Sequence, residues 1–358
     1  MTPTPELDAK VMIGAPIAAF TAVVLAGLAC CAMSGTIPAV SAVTGEPIPF
    51  LLGALLVTLG AFGGFVSVDL GSASPAVDLT FLTIPFIFTA VAVVILFRLH
   101  RTSEIRQPLD LPDRLAVCAC SGMVLLICSV AAWFLATALD PASERASFSS
   151  NVFLLATGSL AIASLAALAG RSSAYRSYPA WSFTSAFCLA AGLPLAIIVC
   201  VLLTVSYEWG ASSWLLLGNI AVLAWIAILG GVANWDLSLA PLGGPQSSGF
   251  NLIIAAHEGI WTIIGLPLGA LSIMFATIAW RRSCMTVKRS ALPLAFGAVA
   301  AGSLVAGTWA TGYAGGEAVT AIALSSPFNV AIMMGIGWLI DTLARLGYSS
   351  ELATHAQR

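Results

Sequence analysis

Charge is what this chain most lacks. Only 8% of its 358 residues are Asp, Glu, Lys or Arg, against about 25% in a soluble domain. A water-facing surface cannot be built from so few charged groups, so much of the 59% hydrophobic content must face lipid. Histidine is scarce too, with three in the whole chain. His257-Glu258 is followed by Trp261 where a zincin motif needs its second histidine, so that metal site is excluded. No Cys-x-x-Cys occurs, which removes zinc ribbons and thioredoxin-type redox motifs. Of the eight cysteines, all but Cys284 lie in apolar runs and read as small buried hydrophobes. Walker A and strand-bound Gly-x-Gly-x-x-Gly sequences are missing as well. No cofactor is expected. A net charge of −2 excludes a broad basic surface for nucleic acid.

What the chain does have is long apolar runs. A spanning helix needs roughly 20 apolar residues. Segments 11–33, 50–66, 80–97, 115–139, 152–170, 181–205, 213–233, 258–280, 291–313 and 323–344 qualify as candidates. Short connections leave no room for a separate soluble domain. The N-terminus sets Lys10 against Glu6 and Asp8, a poor signal-peptide start, so 11–33 is read as a retained helix. The expected fold class is all-α, a polytopic transmembrane bundle of about ten spans in a bacterial inner (plasma) membrane.

Landmarks recur along the chain. Gly14-Ala15-Pro16 in the first segment is echoed by Gly192-Leu193-Pro194 in the sixth. The second segment ends Gly63-Gly64-x4-Asp69-Leu70 and the seventh Gly230-Gly231-x4-Asp236-Leu237. Arg98 and Arg101 close the third, Arg281 and Arg282 the eighth. Ser149-Ser150-Asn151 precedes the fifth, Ser325-Ser326-Pro327-Phe328-Asn329 the tenth. This order predicts two repeats, 1–175 and 176–358. With five spans in each, an odd number, the second must enter from the opposite face, as in many secondary transporters. The positive-inside rule does not decide the orientation. Ten crossings put eight basic residues on one side and six on the other, and the Arg98–Arg114 loop is as basic as the Arg281–Arg289 loop. If both loops share a face, an even number of spans separates them. A re-entrant pair within 234–280 would also shift the parity.

The ninth segment places Ala298, Gly302, Ala306, Ala310 and Ala314 at four-residue spacing, a small-residue face for close helix packing. Bundle packing is the expected use, with a homodimer seam as the sharper one.

The residues offering chemistry are few. Asp69 and Asp236 end equivalent segments and are candidate proton or cation sites, since desolvation raises a carboxyl pKa. The plainer alternative is that they solubilise loops. His257 and Glu258 open an apolar stretch and read either as a proton-relay pair or as a helix N-terminus, where Glu258 complements the dipole. Asp341 and Arg345 have the spacing of an intrahelical ion pair. Trp209, Trp214, Trp235, Trp261 and Trp280 fit an interfacial aromatic belt. His100 is placed in a basic loop.

The run Trp235-Asp236-Leu237-Ser238-Leu239-Ala240-Pro241-Leu242-Gly243, after a Gly-Gly helix end, lies among Ala-rich, charge-poor spans. Over 231–280 and the matching 64–99 the chain resembles the uncharacterised streptophobe-type multi-pass membrane proteins of actinobacteria. That resemblance implies a polytopic membrane fold and no particular activity.

The leading expectation is a secondary carrier or permease for a small solute, proton-coupled through Asp69, Asp236, His257 and Glu258, which would line one shared vestibule. The alternative is a non-transporting membrane scaffold with a homodimer or membrane-protein partner. An intramembrane lipid-modifying enzyme is a third reading, weakened by the thin supply of acidic and histidine residues. In each case the bilayer is the first partner.

Overall fold

The computed structural model describes residues 5–34, 49–64, 66–70, 77–81, 85–140, 147–175, 178–206, 214–231, 233–238, 250–251, 260–305, 308–314 and 317–356. Each apolar segment contains one helix. In the first half these are α1 (Pro5–Ser34), α2 (Phe50–Ala61), α3 (Phe86–Arg106), α4 (Leu111–Leu139) and α5 (Val152–Ser172). The second half holds α6 (Pro179–Ser206), α7 (Leu217–Ile228), α8 (Ile260–Cys284), α9 (Ala291–Val305) and α10 (Phe328–Ala356). Six described helices, α1, α3, α4, α5, α6 and α10, are long and apolar enough to cross a membrane. The protein is therefore a multi-pass helical membrane protein by length and composition. Serine and threonine enter these helices at little cost because their hydroxyls bond back to the preceding turn. Thr58 donates to Ala54 O, Ser159 to Leu155 O and Thr184 to Ala180 O.

Ten independent spans are not what these helices make. α2 and α7 have 12 residues each, about 18 Å of helix, against a hydrocarbon core of about 30 Å. Both dip beside the preceding helix and run antiparallel to it. Gly27 of α1 lies against Ala54, while Phe20 stacks on Phe62, farther along the chain. Gly192 of α6 lies against Ala221, and Trp214 Nε1 donates to Thr204 Oγ1 at the other end. Each short helix then stops at a glycine with positive φ, Gly63 (91°) and Gly230 (83°). There the Gly64 N–H reaches back to Leu59 O and the Gly231 N–H to Ile226 O. This is the six-residue closure that only a left-handed residue at the helix end permits, and glycine adopts it without strain.

The all-α expectation is corrected by a sheet. Segments read as loops or span ends form β1 (Val66–Leu70), β2 (Val77–Phe81), β3 (Ser147–Ser150), β4 (Ala233–Ser238), β5 (Phe250–Asn251), β6 (Thr308–Ala314) and β7 (Glu317–Ser325). They make one antiparallel sheet in the order β3-β1-β2-β6-β7-β4-β5. The ninth segment illustrates why. Its four-residue spacing of small residues suggests helix through Ala314, but Gly307 and Gly312 weaken a helix by about 1 kcal/mol each. Thr308, Trp309, Thr311 and Tyr313 favour a strand. Among the described residues the edge strands are β3, with 4 residues, and β5, with 2.

The two halves follow one plan. α1 packs on α2, α3 and α4, and α5 on α3 and α4; α6 likewise packs on α7, α8 and α9, and α10 on α8 and α9. In the sheet, β1 sits between β3 and β2, as β4 sits between β7 and β5. Among the described residues the two larger apolar cores run from Ala15 to Ala166 and from Ala180 to Ala344, with a smaller cluster of Ala196, Cys200, Ile220 and Ala221 between α6 and α7. The Pro16 and Pro194 landmarks do not correspond within this plan. Gly192 takes the place of Gly27, since Ala54 and Ala221 each stand nine residues before the positive-φ glycine.

The expected inversion between halves is absent. Connections from both halves enter the same sheet, so α3 and α8 both leave it in the same sense. Their far ends, at 107–110 and 285–290, lie at the opposite pole. The physical reason is length: α2 and α7, at 12 residues each, are too short to cross a hydrocarbon core of about 30 Å. Every described Lys and Arg then falls at this far pole. Lys10 is on α1, Arg98, Arg101 and Arg106 on α3, Arg114 on α4 and Arg171 on α5. Arg281 and Arg282 end α8, Lys288 and Arg289 follow it, and Arg345 of α10 bonds Val287 O there. Reporter fusions after Arg106 and after Lys288 are expected on one side of the membrane. Opposite sides for the two would refute this topology.

Candidate functional site

The residues nominated from the sequence occupy the sheet. Asp69 is the fourth residue of β1 and Asp236 the fourth of β4. They hold equivalent places, yet four strand spacings separate β1 from β4, about 19 Å at 4.7–4.9 Å per strand. The cross-strand neighbours of Asp69 are Asp78 and Ser147, and that of Asp236 is Ile322. His257 and Glu258 lie outside the described residues.

The buried charge lies elsewhere, at the basic pole of the first half. His100 is not in a loop. It sits in the last turns of α3, fully buried, with Glu104 one turn further on and equally buried. The two share the inner face of α3 because they are four residues apart. Arg171, in the last turn of α5, is also buried, and its Nη1 donates to Glu104 Oε2 at 2.9 Å. The other carboxylate oxygen, Oε1, accepts from Arg114 Nη2 at 2.7 Å and from the Leu109 N–H at 3.3 Å. Arg114 Nη2 also reaches Leu109 O, closing the short turn between α3 and α4. Tyr175, just past α5, donates to the Glu104 carbonyl at 2.9 Å.

His100 completes the cluster. Arg171 Nε donates to its Nδ1 at 3.3 Å, and its Nε2 lies 3.0 Å from Ser121 Oγ on α4. A guanidinium can only donate, so Nδ1 is bare and the proton of a neutral ring is on Nε2. Ser121 Oγ then accepts a hydrogen bond from that N–H and donates its own O–H to Met12 O on α1 at 3.2 Å. One network thus ties α1, α3, α4 and α5 together at one pole. Two guanidinium groups face a single carboxylate, and each bond is charge-assisted, roughly twice as strong as a neutral one.

The second half has a smaller counterpart. Asp341 and Arg345 form the expected i,i+4 pair, Nε to Oδ2 at 2.7 Å. Trp280 Nε1 donates to Asp341 Oδ1 at 2.8 Å, and Arg345 Nη2 donates to Val287 O at 2.8 Å. Trp280 is therefore not an interfacial residue: it is fully buried and packs on Phe183 at a centroid distance of 5.0 Å. Trp225, Phe187 and Phe296 continue that aromatic core.

A third set of polar contacts marks the junction of helices and sheet. The Phe86 N–H at the start of α3 donates to Asn219 Oδ1 of α7 at 3.0 Å, joining the halves. Thr89 donates to Ala61 O at 2.7 Å, tying α3 to the inner end of α2. Ser303 and Asn329 both donate to Ser325 Oγ, at 2.7 and 2.9 Å.

The sequence carried a signal for the buried cluster. His100 and Ser103 fall on the side of α3 opposite Arg98 and Arg101, with Glu104 on the flank beside them, so reading α3 to Arg106 would have turned them inward. Ending the span at 97, where charge begins, hid that. Among the described residues, no group of three or more His, Cys, Asp or Glu is placed to hold a metal ion. No family model, curated protein or solved structure matches this chain. Its function rests on its own residues.

Proposed function

We propose that this protein is a membrane scaffold of two parallel five-helix repeats clamped together at one pole by a shared sheet. The observation that carries this reading is the ladder between β2 and β6, in which Val77 to Phe81 pair with Ala314 to Ala310. A carrier that rocks its halves must change their relation at both poles. Here the sheet would have to shear or open at its middle, where five residue pairs face one another in register. Each large apolar core is built mainly from its own half, with Leu215 of the second half packing on the first, and the buried ions serve as fasteners between helices. The positive-inside rule puts the basic pole in the cytoplasm and the sheet on the outer side of a bacterial inner membrane.

A secondary carrier is the second reading, favoured by one feature. α2 and α7 stop at Gly63-Gly64 and Gly230-Gly231, and interrupted helices of this kind build substrate sites between repeats. Asp69, Asp236, His257 and Glu258 would then supply its proton chemistry.

Spin labels at Arg106 and Lys288, in a cysteine-free background, separate the two. A scaffold gives one distance between the halves, unchanged by pH or by a disulfide between Leu79→Cys and Gly312→Cys, which are register partners. Two populations that collapse to one on cross-linking would replace the scaffold by the carrier.

A further inference from the structure

The outer stripe of α3 carries two arginines for which the described protein offers no counter-charge. At 100° per residue, Ile87, Val94, Arg98, Arg101 and Ile105 fall within about 60° of one another on the helix. All are exposed, Val94 by 48% and Ile105 by 53%. The opposite stripe, with Ala92, Leu96, His100 and Ser103, is buried, as is Glu104 on its flank. The outer stripe is therefore the one that meets lipid. Arg98 and Arg101 lie about 12 Å and about 8 Å short of the last residue of α3 at 1.5 Å per residue. Exposed apolar groups continue past them, at Ile105 on α3 and at Leu111 and Leu115 on α4. Among the described residues, no carboxylate forms an ion pair with either arginine; the cluster's only acid, Glu104, faces inward to Arg114 and Arg171.

A guanidinium inside an apolar surround needs a counter-ion or must reach for the headgroups. A phosphate answers both demands, because its oxygens accept paired hydrogen bonds from the guanidinium fork. Residues three apart on a helix are neighbours, with Cβ atoms about 5–6 Å apart, so both forks can close on one phosphate. Val94 and Ile105, above and below on the same stripe, would lie along acyl chains.

We propose that Arg98 and Arg101 form a binding site for the phosphate of an anionic phospholipid on the outer face of α3. This holds whether the protein is a scaffold or a carrier.

The full chain, reconstituted in nanodiscs of phosphatidylcholine doped with phosphatidylglycerol, provides the test. Native mass spectrometry should show phosphatidylglycerol retained by the wild type as lipid is stripped away. Arg98→Gln/Arg101→Gln should weaken that retention by about thirtyfold, given roughly a kilocalorie per basic residue at an anionic surface. Arg98→Lys/Arg101→Lys, which keeps the charge and loses the fork, should retain most of it. Equal retention by the glutamine variant overturns the site. Displacement of the lipid by excess inorganic phosphate or glycerol phosphate would also overturn it, since the site would then read free phosphate. If the glutamine variant does not fold, the wild type alone decides: no preference for phosphatidylglycerol over phosphatidylcholine rejects the proposal.

Discussion

Arg171→Met is expected to destabilise the protein by about 3–5 kcal/mol, the cost of stranding one partner of a buried ion pair. Arg171 is fully buried and bonds both Glu104 and His100. Methionine fills much of its volume, so the loss is electrostatic more than steric. Glu104 would keep Arg114 and the Leu109 N–H, but Glu104 Oε2 and His100 Nδ1 would each lose the hydrogen bond that Arg171 donates. The double variant Arg171→Met/Glu104→Met should recover part of the loss, because a pair removed together leaves no uncompensated charge. A double-mutant cycle from denaturant unfolding in detergent measures this coupling. Additive losses in the cycle would show that the two side chains do not act as a pair. Arg345→Met should cost less. Its side chain is 18% exposed, its pair lies on one helix turn, and Asp341 keeps the Trp280 indole N–H.

The membrane character and the places of all ten helices could be read from hydropathy, because a lipid-facing helix must be apolar over most of its length. The Gly-Gly helix ends were legible too. Gly63 and Gly230 mark the two chain reversals, and a left-handed backbone is costly for other residues. What hydropathy could not reveal was whether an apolar run crosses. The apolar runs 50–66 and 213–233 extend a few residues beyond the 12-residue helices α2 and α7, up to the first residue of β1 and of β4, so each counted as one crossing. The inverted arrangement rested on counting both as full spans. The strands were missed because alternation in Val66-Ser67-Val68-Asp69-Leu70 is short and the helix signal around it is strong. The buried cluster was missed for a different reason: its members are distant in sequence, with Glu104 and Arg171 meeting only once α3 and α5 pack.

Gly192→Val is expected to destabilise by about 1–3 kcal/mol or more, as overpacking does in a tight core, whereas Gly302→Leu should stay within about 0.5 kcal/mol, as a surface substitution does. The second half of this contrast reverses the sequence expectation that Ala298, Gly302 and Ala306 face the bundle. Ala298 is exposed, and a Cβ built on Gly302 meets nothing within 4 Å. The packed face of α9 is instead Leu292, Ala295, Phe296 and Ala300, with Gly297 against Met334. Position 306 lies outside the described residues. Gly192 is different in kind. A Cβ there would run into the carbonyl oxygen of Ala221, and a further contact would fall at 3.1 Å on Trp225 Cβ. The obstacle is mostly backbone, held by the hydrogen bonds of α7, so it cannot swing aside as a flexible side chain could. The same argument applies more weakly to Gly27, where the Ala54 carbonyl oxygen would be 3.2 Å away. Gly27→Ala should therefore cost less than Gly192→Ala, although both glycines fill the same place in their halves. Thermal unfolding of the three variants in one detergent ranks them. A large loss from Gly302→Leu, or none from Gly192→Val, would mean that α9 or the α6–α7 pair is packed on a different face.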